Sequence, residues 1–273
     1  MKSGAGEITV HFLIRNEECF IGPAIRSILP MASRVMVYDT GSTDQTLEIV
    51  SSIQDEKIKL VRKEGSSRQD LTLYRNEMMD RTETEWAMLV DGDEVYPSHA
   101  VERIREEIRK IPSSVDRIVL GRRHFVRSLN YISRTDRIGR IFRTQRVRFF
   151  LKDDWYQTAV LREDSSVTFK KVPSTVFQKD VHFFHFQFFR RSSRDSELGN
   201  RRAWRRAPFP VFPYFGPWPE GIKLDGAVDR MTPTFLMGWA RMNGRLLGGW
   251  FRQKIRKILH KLRGAPPVPG GIQ

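Results

Sequence analysis

The feature that most constrains this chain is a rhythm in its first 120 residues. Short apolar, β-branched runs alternate with amphipathic stretches, and polar clusters follow several of them. Ile8–Ile14 (ITVHFLI) reads as a buried strand. Arg15-Asn16-Glu17-Glu18 ends it, and Gly22-Pro23 opens a short helix through Leu29, since proline suits a first helical turn. Arg34–Tyr38 (RVMVY) is a second strand. The turn Asp39-Thr40-Gly41 then leads to Ser42 and Gln45 at capping-box spacing, with Leu47, Ile49, Val50 and Ile53 continuing a helix. Lys57–Val61 is a third strand and Gln69–Arg81 a helix. Trp86–Val90 (WAMLV) is a fourth strand, ending in Asp91-Gly92-Asp93-Glu94. Ser98 can cap the next helix, where Val101, Ile104, Ile108 and Ile111 recur at helical spacing. Arg117–Leu120 begins a fifth strand.

Such alternation predicts an α/β fold, a parallel sheet with helices on both faces. Ligands of these sheets bind beyond the carboxyl ends of the strands. Asn16-Glu17, Asp39–Asp44 and Asp91–Glu94 all fall there. The pattern changes near residue 120. Phe142–Leu151, Thr168–Val172 and Val181–Phe189 read as further strands, the last carrying His182 and His185. Beyond Arg190 come an Arg-rich stretch, a Pro/aromatic segment (Ala207–Pro219) and a basic helical tail. The expected organisation is a catalytic domain over 1–190 and a C-terminal extension over 191–273.

Charge divides the same way. Residues 1–110 carry 15 basic and 20 acidic side chains, and residues 111–273 carry 32 and 12. The first part is therefore at −5 and the second at +20, which suggests a polyanionic partner for the second: nucleic acid, anionic lipid or a phosphorylated substrate. Hydrophobic residues at 40% exclude wholesale disorder. A single cysteine, Cys19, excludes an intramolecular disulfide framework and a cysteine-built zinc site, and fits a reducing compartment. No apolar run reaches the roughly 18 residues of a membrane span, and no signal-peptide core precedes Ile8. The expected location is cytoplasmic, with peripheral attachment to the inner face of the cell membrane.

Asp91-Gly92-Asp93 places two carboxylates, one small residue apart, at a strand end. They can share one hard divalent cation, which prefers oxygen ligands and keeps positions for substrate phosphates. Isolated Asp-x-Asp triplets are common in turns, so position gives this one its meaning. In Asp39–Asp44, Gly41, Ser42 and Asp44 are explained by helix-start chemistry. Asp39 is not. A carboxylate at a strand tip can accept a hydrogen bond from a nucleobase N–H.

Together these motifs resemble family 2 glycosyltransferases of the GT-A fold. The resemblance rests on Asn16-Glu17 after the first strand, DTGSTDQT over Asp39–Thr46, Arg75-Asn76 on the third helix and Asp91-Gly92-Asp93-Glu94, in order over residues 8–96. The subgroup it is most similar to builds cell-surface glycans, including lipopolysaccharide core. The resemblance implies that Asp39 reads the base, that Asp91 approaches the ribose or metal, and that Asp93 ligates Mn²⁺ or Mg²⁺ on the donor diphosphate. Arg15, Asn16, Glu17, Gly41, Ser42, Arg75 and Gly92 complete the donor site it implies. UDP-sugar is the donor it favours, although guanine also offers an N–H to Asp39. A later histidine often reaches the metal or diphosphate, and His185 fits best. His182 lies three residues earlier, so in an extended strand the two point to opposite faces. Relatives often carry a His-Glu or acidic pair as catalytic base. No His-Glu occurs here, and Asp153-Asp154 and Glu163-Asp164 are the candidates, with Asp154 favoured. The implied reaction is metal-dependent, inverting sugar transfer to a cell-envelope glycan or lipid-linked acceptor.

Trp239–Arg263 carries eight basic residues and no acidic one, with an apolar stripe that includes Trp250 and Ile258. A basic amphipathic helix of this kind suits an anionic membrane surface. The plainer alternative is a helix packed on the catalytic domain. A nucleic-acid-binding protein competes on charge alone, without a recognisable motif. A non-catalytic sugar-nucleotide-binding protein is a further alternative.

Overall fold

The computed structural model describes residues 6–126, 128–133, 136–153, 156–165, 173–177, 181–195, 212–214, 216, 219 and 222. Its first part follows the predicted order: β1 (Ile8–Ile14), α1 (Ile21–Ile28), β2 (Arg34–Asp39), α2 (Thr46–Ser51), β3 (Ile58–Arg62), α3 (Arg68–Asp80), β4 (Trp86–Val90), β5 (Glu94–Val95) and α4 (Ser98–Glu107). The strands β6 (Arg117–Val126), β7 (Ser128–Ile132), β8 (Asp136–Arg143), β9 (Val147–Asp153), β10 (Tyr156–Leu161), β11 (Ser174–Val176), β12 (His182–His185) and β13 (Phe212–Pro213) follow.

β1 pairs in parallel with both β2 and β4, and β2 in parallel with β3. Alternation along these strands makes two cores. Val35 and Val37 join Val10, Phe12, Trp86 and Met88 beneath α1 and α4. Met36 and Tyr38 face the other way, against Tyr74 and Met78 of α3. Ala87 and Leu89 likewise meet Met79, Phe142 and Phe149. Helices thus cover both faces, as the pattern predicts.

Beyond residue 120 the sheet becomes mixed. β8 lies antiparallel between β4 and β6. The expected run Phe142–Leu151 is two strands, because a turn at residues 144–146 sends β9 back along α3. There the Asn76 side chain mimics a strand edge: its amide donates to the Phe149 carbonyl at 2.9 Å, and its oxygen accepts the Phe149 N–H at 2.8 Å. Of Val181–Phe189 only His182–His185 is strand, wedged in parallel against β6 and antiparallel against β5. Thr168–Val172 lies outside the described residues. Ser42 and Gln45 do not form the expected capping box, because the Ser42 hydroxyl is taken by Asp39. The capping box forms instead at Ser67 and Asp70, which starts α3.

Residues past 190 also pack on this unit. Phe212–Pro213 pairs with β7, and buried Tyr214 meets Phe125 edge-on at 5.0 Å. No helix among the described residues is long and apolar enough to cross a membrane.

Candidate functional site

The carboxyl ends of β1, β2 and β4 converge. After β1 the chain turns sharply at Asn16, whose φ of 53° is rare for a residue other than glycine. The turn is held from the β2 loop. The Asn16 N–H donates to Ser42 Oγ at 2.9 Å, and Asn16 Oδ1 accepts from the Thr43 N–H at 2.7 Å. The Glu17 N–H donates to Thr46 Oγ1 at 2.7 Å. Asp39 organises the same loop, accepting from the Gly41 and Ser42 N–H groups at 3.2 and 3.1 Å and from the Ser42 hydroxyl. Gly41 has φ +97° and open space where a Cβ would be, so conformation alone demands glycine. Gly92 is required for contact instead, since a Cβ there would sit 2.6 Å from Glu17 Cγ. Arg15, just past β1, donates to Ser66 beside the start of α3.

The β4 carboxylates are closely partnered. Arg140 of β8 reaches between Asp91, at 2.8 Å, and Glu94. Arg75 of α3 stands 3.8 Å from Asp91. Burial would raise the Asp91 carboxyl, but Arg140 and then Arg75 outweigh it and hold it at about 2. Glu94 is fully buried, and burial pushes its carboxyl well above the usual range despite Arg140. Asp93 is also fully buried. Its Oδ2 accepts from Arg191 Nη1 at 2.9 Å, and its Oδ1 lies 3.4 Å from His185 Nε2.

His185 faces this cluster because β12 puts it beside Glu94 in register. His182 instead packs its ring near His99 and Phe184. His185 Nδ1 is buried without a hydrogen-bond partner among the described residues. Ligand atoms of Asp91, Glu94 and His185 lie within 4.8 Å of one another. Carboxylate oxygens with one imidazole suit a cation such as Mn²⁺. Asp91, Glu94 and His185 are thus the residues brought together closely enough to fit a divalent ion; Asp93, expected as a ligand, lies beside them but is not one of that trio.

The base candidates separate. β9 runs towards the start of α3, so Asp153 ends at the same sheet edge as Asp91; Asp154 lies outside the described residues. Glu163 and Asp164 are exposed just past β10, whose end pairs with Val147. That is the Trp86 end of β4, opposite the cluster, because β10 retraces β9. The structure does not bring them to the site.

Three contributors were missed by sequence reading. Arg140 and Arg191 carry no motif, and their roles depend on pairings distant in sequence. His124 stacks obliquely on His185 at 4.9 Å, with Gln187 3.0 Å from its Nδ1 and Asp136 3.5 Å from its Nε2. Burial lowers the His124 pKa, disfavouring its charged form.

The sequence model of Glycosyl transferase family 2 matches residues 9–172. No curated protein matches the chain. Among solved structures, S. aureus TarS 1-349 in complex with UDP is 17% identical, with a TM-score of 0.47 over 66% of this chain and 60% of that one. S. aureus TarS aligns at 18% identity and a TM-score of 0.42, over 66% of this chain and 36% of that one. Glucosyl-3-phosphoglycerate synthase from Mycobacterium tuberculosis, in complex with Mn²⁺, UDP and glucosyl-3-phosphoglycerate, aligns at 19% identity and a TM-score of 0.33, over 44% of each chain. This chain thus spans less than two thirds of the length of these structures. With more than half of its residues matched by the family's sequence model, and that family's motifs converging on one crevice, the chain belongs to glycosyl transferase family 2.

Proposed function

We propose that this protein transfers a sugar from a nucleotide diphosphate, UDP-sugar being favoured, to a hydroxyl of a cell-envelope glycan or lipid-linked acceptor, with inversion at the anomeric carbon. The observation that carries this reading is the convergence of Asp91 and Asp93 with Arg75, Arg140, Arg191 and His185 at the strand ends that also present Asn16 and Asp39. A carboxylate has about four acceptor positions. The loop uses three on Asp39, which leaves capacity for one base N–H. Asp91, Asp93 and His185 would hold Mn²⁺ or Mg²⁺, which supplies positive charge against the departing diphosphate. Arg75 and Arg140 fix Asp91 in its ionised form. The acceptor hydroxyl needs a carboxylate to take its proton, and Asp154, next in sequence after β9, is the residue assigned to it. Attack opposite the leaving group would invert the centre.

A thermal-shift screen of UDP-, GDP-, CMP- and dTDP-sugars with Mn²⁺, followed by nucleotide release in the presence of acceptor extracts, tests the reading. Stabilisation by a UDP-sugar is expected. Stabilisation by none of the four, with no nucleotide released, refutes it. The tail over Trp239–Arg263, outside the described residues, would dock the enzyme on anionic lipid, each basic residue adding on the order of 1 kcal/mol. Removing residues 239–273 should release the protein from anionic vesicles at low salt and leave nucleotide binding intact. Equal co-sedimentation of both forms would assign the tail to packing.

A further inference from the structure

The cluster contains two arginines that differ in how they are held. Arg140 sits in mid-strand β8, its side chain 7% exposed, clamped between Asp91 and Glu94. It is the extra residue of a bulge in β8, and its neighbours Gly139 and Ile141 are both paired to β6, which holds it in place. Arg191 follows β12 in a strap that lies over the start of the domain. Several bonds tie the strap down, and the guanidinium adds to them. The Cys19 N–H donates to the Arg191 carbonyl at 2.9 Å, and the Arg191 N–H donates to Asp195 Oδ2 at 2.8 Å. Ser192 Oγ donates to Asp44, and the Ser193 N–H donates to Glu18. Phe186 and Phe189 anchor the strap's approach on Phe20, at 4.6 and 6.1 Å between rings. From this base the Arg191 side chain, 19% exposed, reaches in to Asp93 and to Glu17 at 3.4 Å.

Asp93 itself is completely enclosed. One oxygen takes Arg191 and the other faces His185. A cation approaching Asp93 meets a guanidinium already there, and two positive groups on one buried carboxylate repel strongly. We propose that Arg191 and a divalent cation are alternative counter-ions of Asp93, so that loading the cation swings the Arg191 side chain out and loosens the strap over residues 190–195. This rests on the family reading of Asp93 as a metal ligand. Exchanging one positive charge for two raises the positive charge at the crevice, and it frees a guanidinium at the rim for an anionic oxygen. The strap thereby couples cation loading to readiness for a diphosphate. Arg140 stays in place throughout and keeps Asp91 oriented.

The test uses the full-length protein without nucleotide. Mn²⁺ affinity is measured by electron paramagnetic resonance for the wild type, for Arg191→Met, which keeps the apolar stem, and for Arg191→Lys. Arg191→Met should bind Mn²⁺ about tenfold more tightly, given the repulsion it removes, with Arg191→Lys between the two. Hydrogen exchange on the wild type gives a readout independent of any variant: Mn²⁺ should speed exchange of the Cys19 amide, which the Arg191 carbonyl protects. Unchanged or weaker Mn²⁺ binding by Arg191→Met overturns the proposal. So does a Cys19 amide indifferent to Mn²⁺, and so does an absence of Mn²⁺ binding by the wild type. Tightened Mn²⁺ binding in a protein that consumes no nucleotide sugar would instead refute the functional reading and leave the exchange standing.

Discussion

The stretch from Ile8 to Tyr96 and the stretch from Arg117 to Asp195 meet at one carboxylate cluster, and they bring opposite things to it. The first is built from consecutive strand–helix units whose strands mostly pair with near neighbours, and it supplies Glu17, Asp39, Asp91, Asp93 and Glu94. The second is mixed in strand direction, bulged and threaded, and it supplies Arg140, His185 and Arg191. The same exchange recurs away from the site: Arg143 pairs with Glu85, and Arg162 with Asp80 at 2.7 Å. Part of the charge imbalance along the chain is therefore settled inside the molecule. Among the described residues, acids of the first part and arginines of the second thus neutralise one another inside the molecule.

The division can be broken most severely at its centre. Asp93→Asn should lower turnover on the order of 10³-fold or more while circular dichroism stays unchanged, because it removes a charge needed at the leaving group. Full activity in that variant would take Asp93 out of the reaction. The acceptor side comes next. Asp154→Asn should reduce transfer roughly 10²–10⁴-fold with nucleotide affinity unaltered, as loss of a general base does. Glu163→Gln, at the far end of the sheet, should leave the rate within about twofold of wild type. The reverse outcome would mean that the hairpin β9–β10 contributes its other end to the acceptor.

Gly92→Ala sharpens the comparison within the first half. Its Cβ would meet Glu17 at 2.6 Å. Relief requires Glu17 to shift, which should cost about 1–3 kcal/mol by denaturant titration and disturb the Arg191 contact. Gly41→Ala has ample space, and its cost comes from backbone conformation alone. Equal chemical shifts at Arg191 in both variants would argue against the Glu17 contact.

The smallest effect concerns Asp136 in the second half. Burial opposes its charge, but the bidentate bond from Arg122 and the contact with His124 more than reverse this and hold the carboxyl well below its ordinary 3.8. A depressed carboxyl contributes stability that is complete above the unfolded value and is lost as pH falls through the folded one. The melting temperature of the wild type should therefore fall as pH drops below about 4. Asp136→Asn should be less stable at pH 7 and show a flatter decline in acid. Parallel curves would mean that Arg122 and Asp136 gain nothing from each other on folding.

Much of the first half was legible because its determinants are local. Alternating residues in Val35–Tyr38 declare a two-faced strand, and an aspartate at its tip needs no distant partner to be noticed. β1 and β4 begin and end where the apolar runs do. Periodicity also placed His182 and His185 on opposite faces of β12. It could not say which faced the site, because that depended on β12 lying against β5, 89 to 91 residues earlier in the chain. The Ser42 cap failed for a related reason: a hydroxyl suited to a helix start was claimed by Asp39 and by the turn at Asn16. What the sequence determined alone was the order of strands and helices, the edge at which ligands bind and the acidic residues presented there. Tertiary structure alone decided how those acids are neutralised. An arginine in a strand reads the same whether it faces water or a buried carboxylate, and only the antiparallel insertion of β8 and the strap after β12 brought Arg140 and Arg191 to theirs.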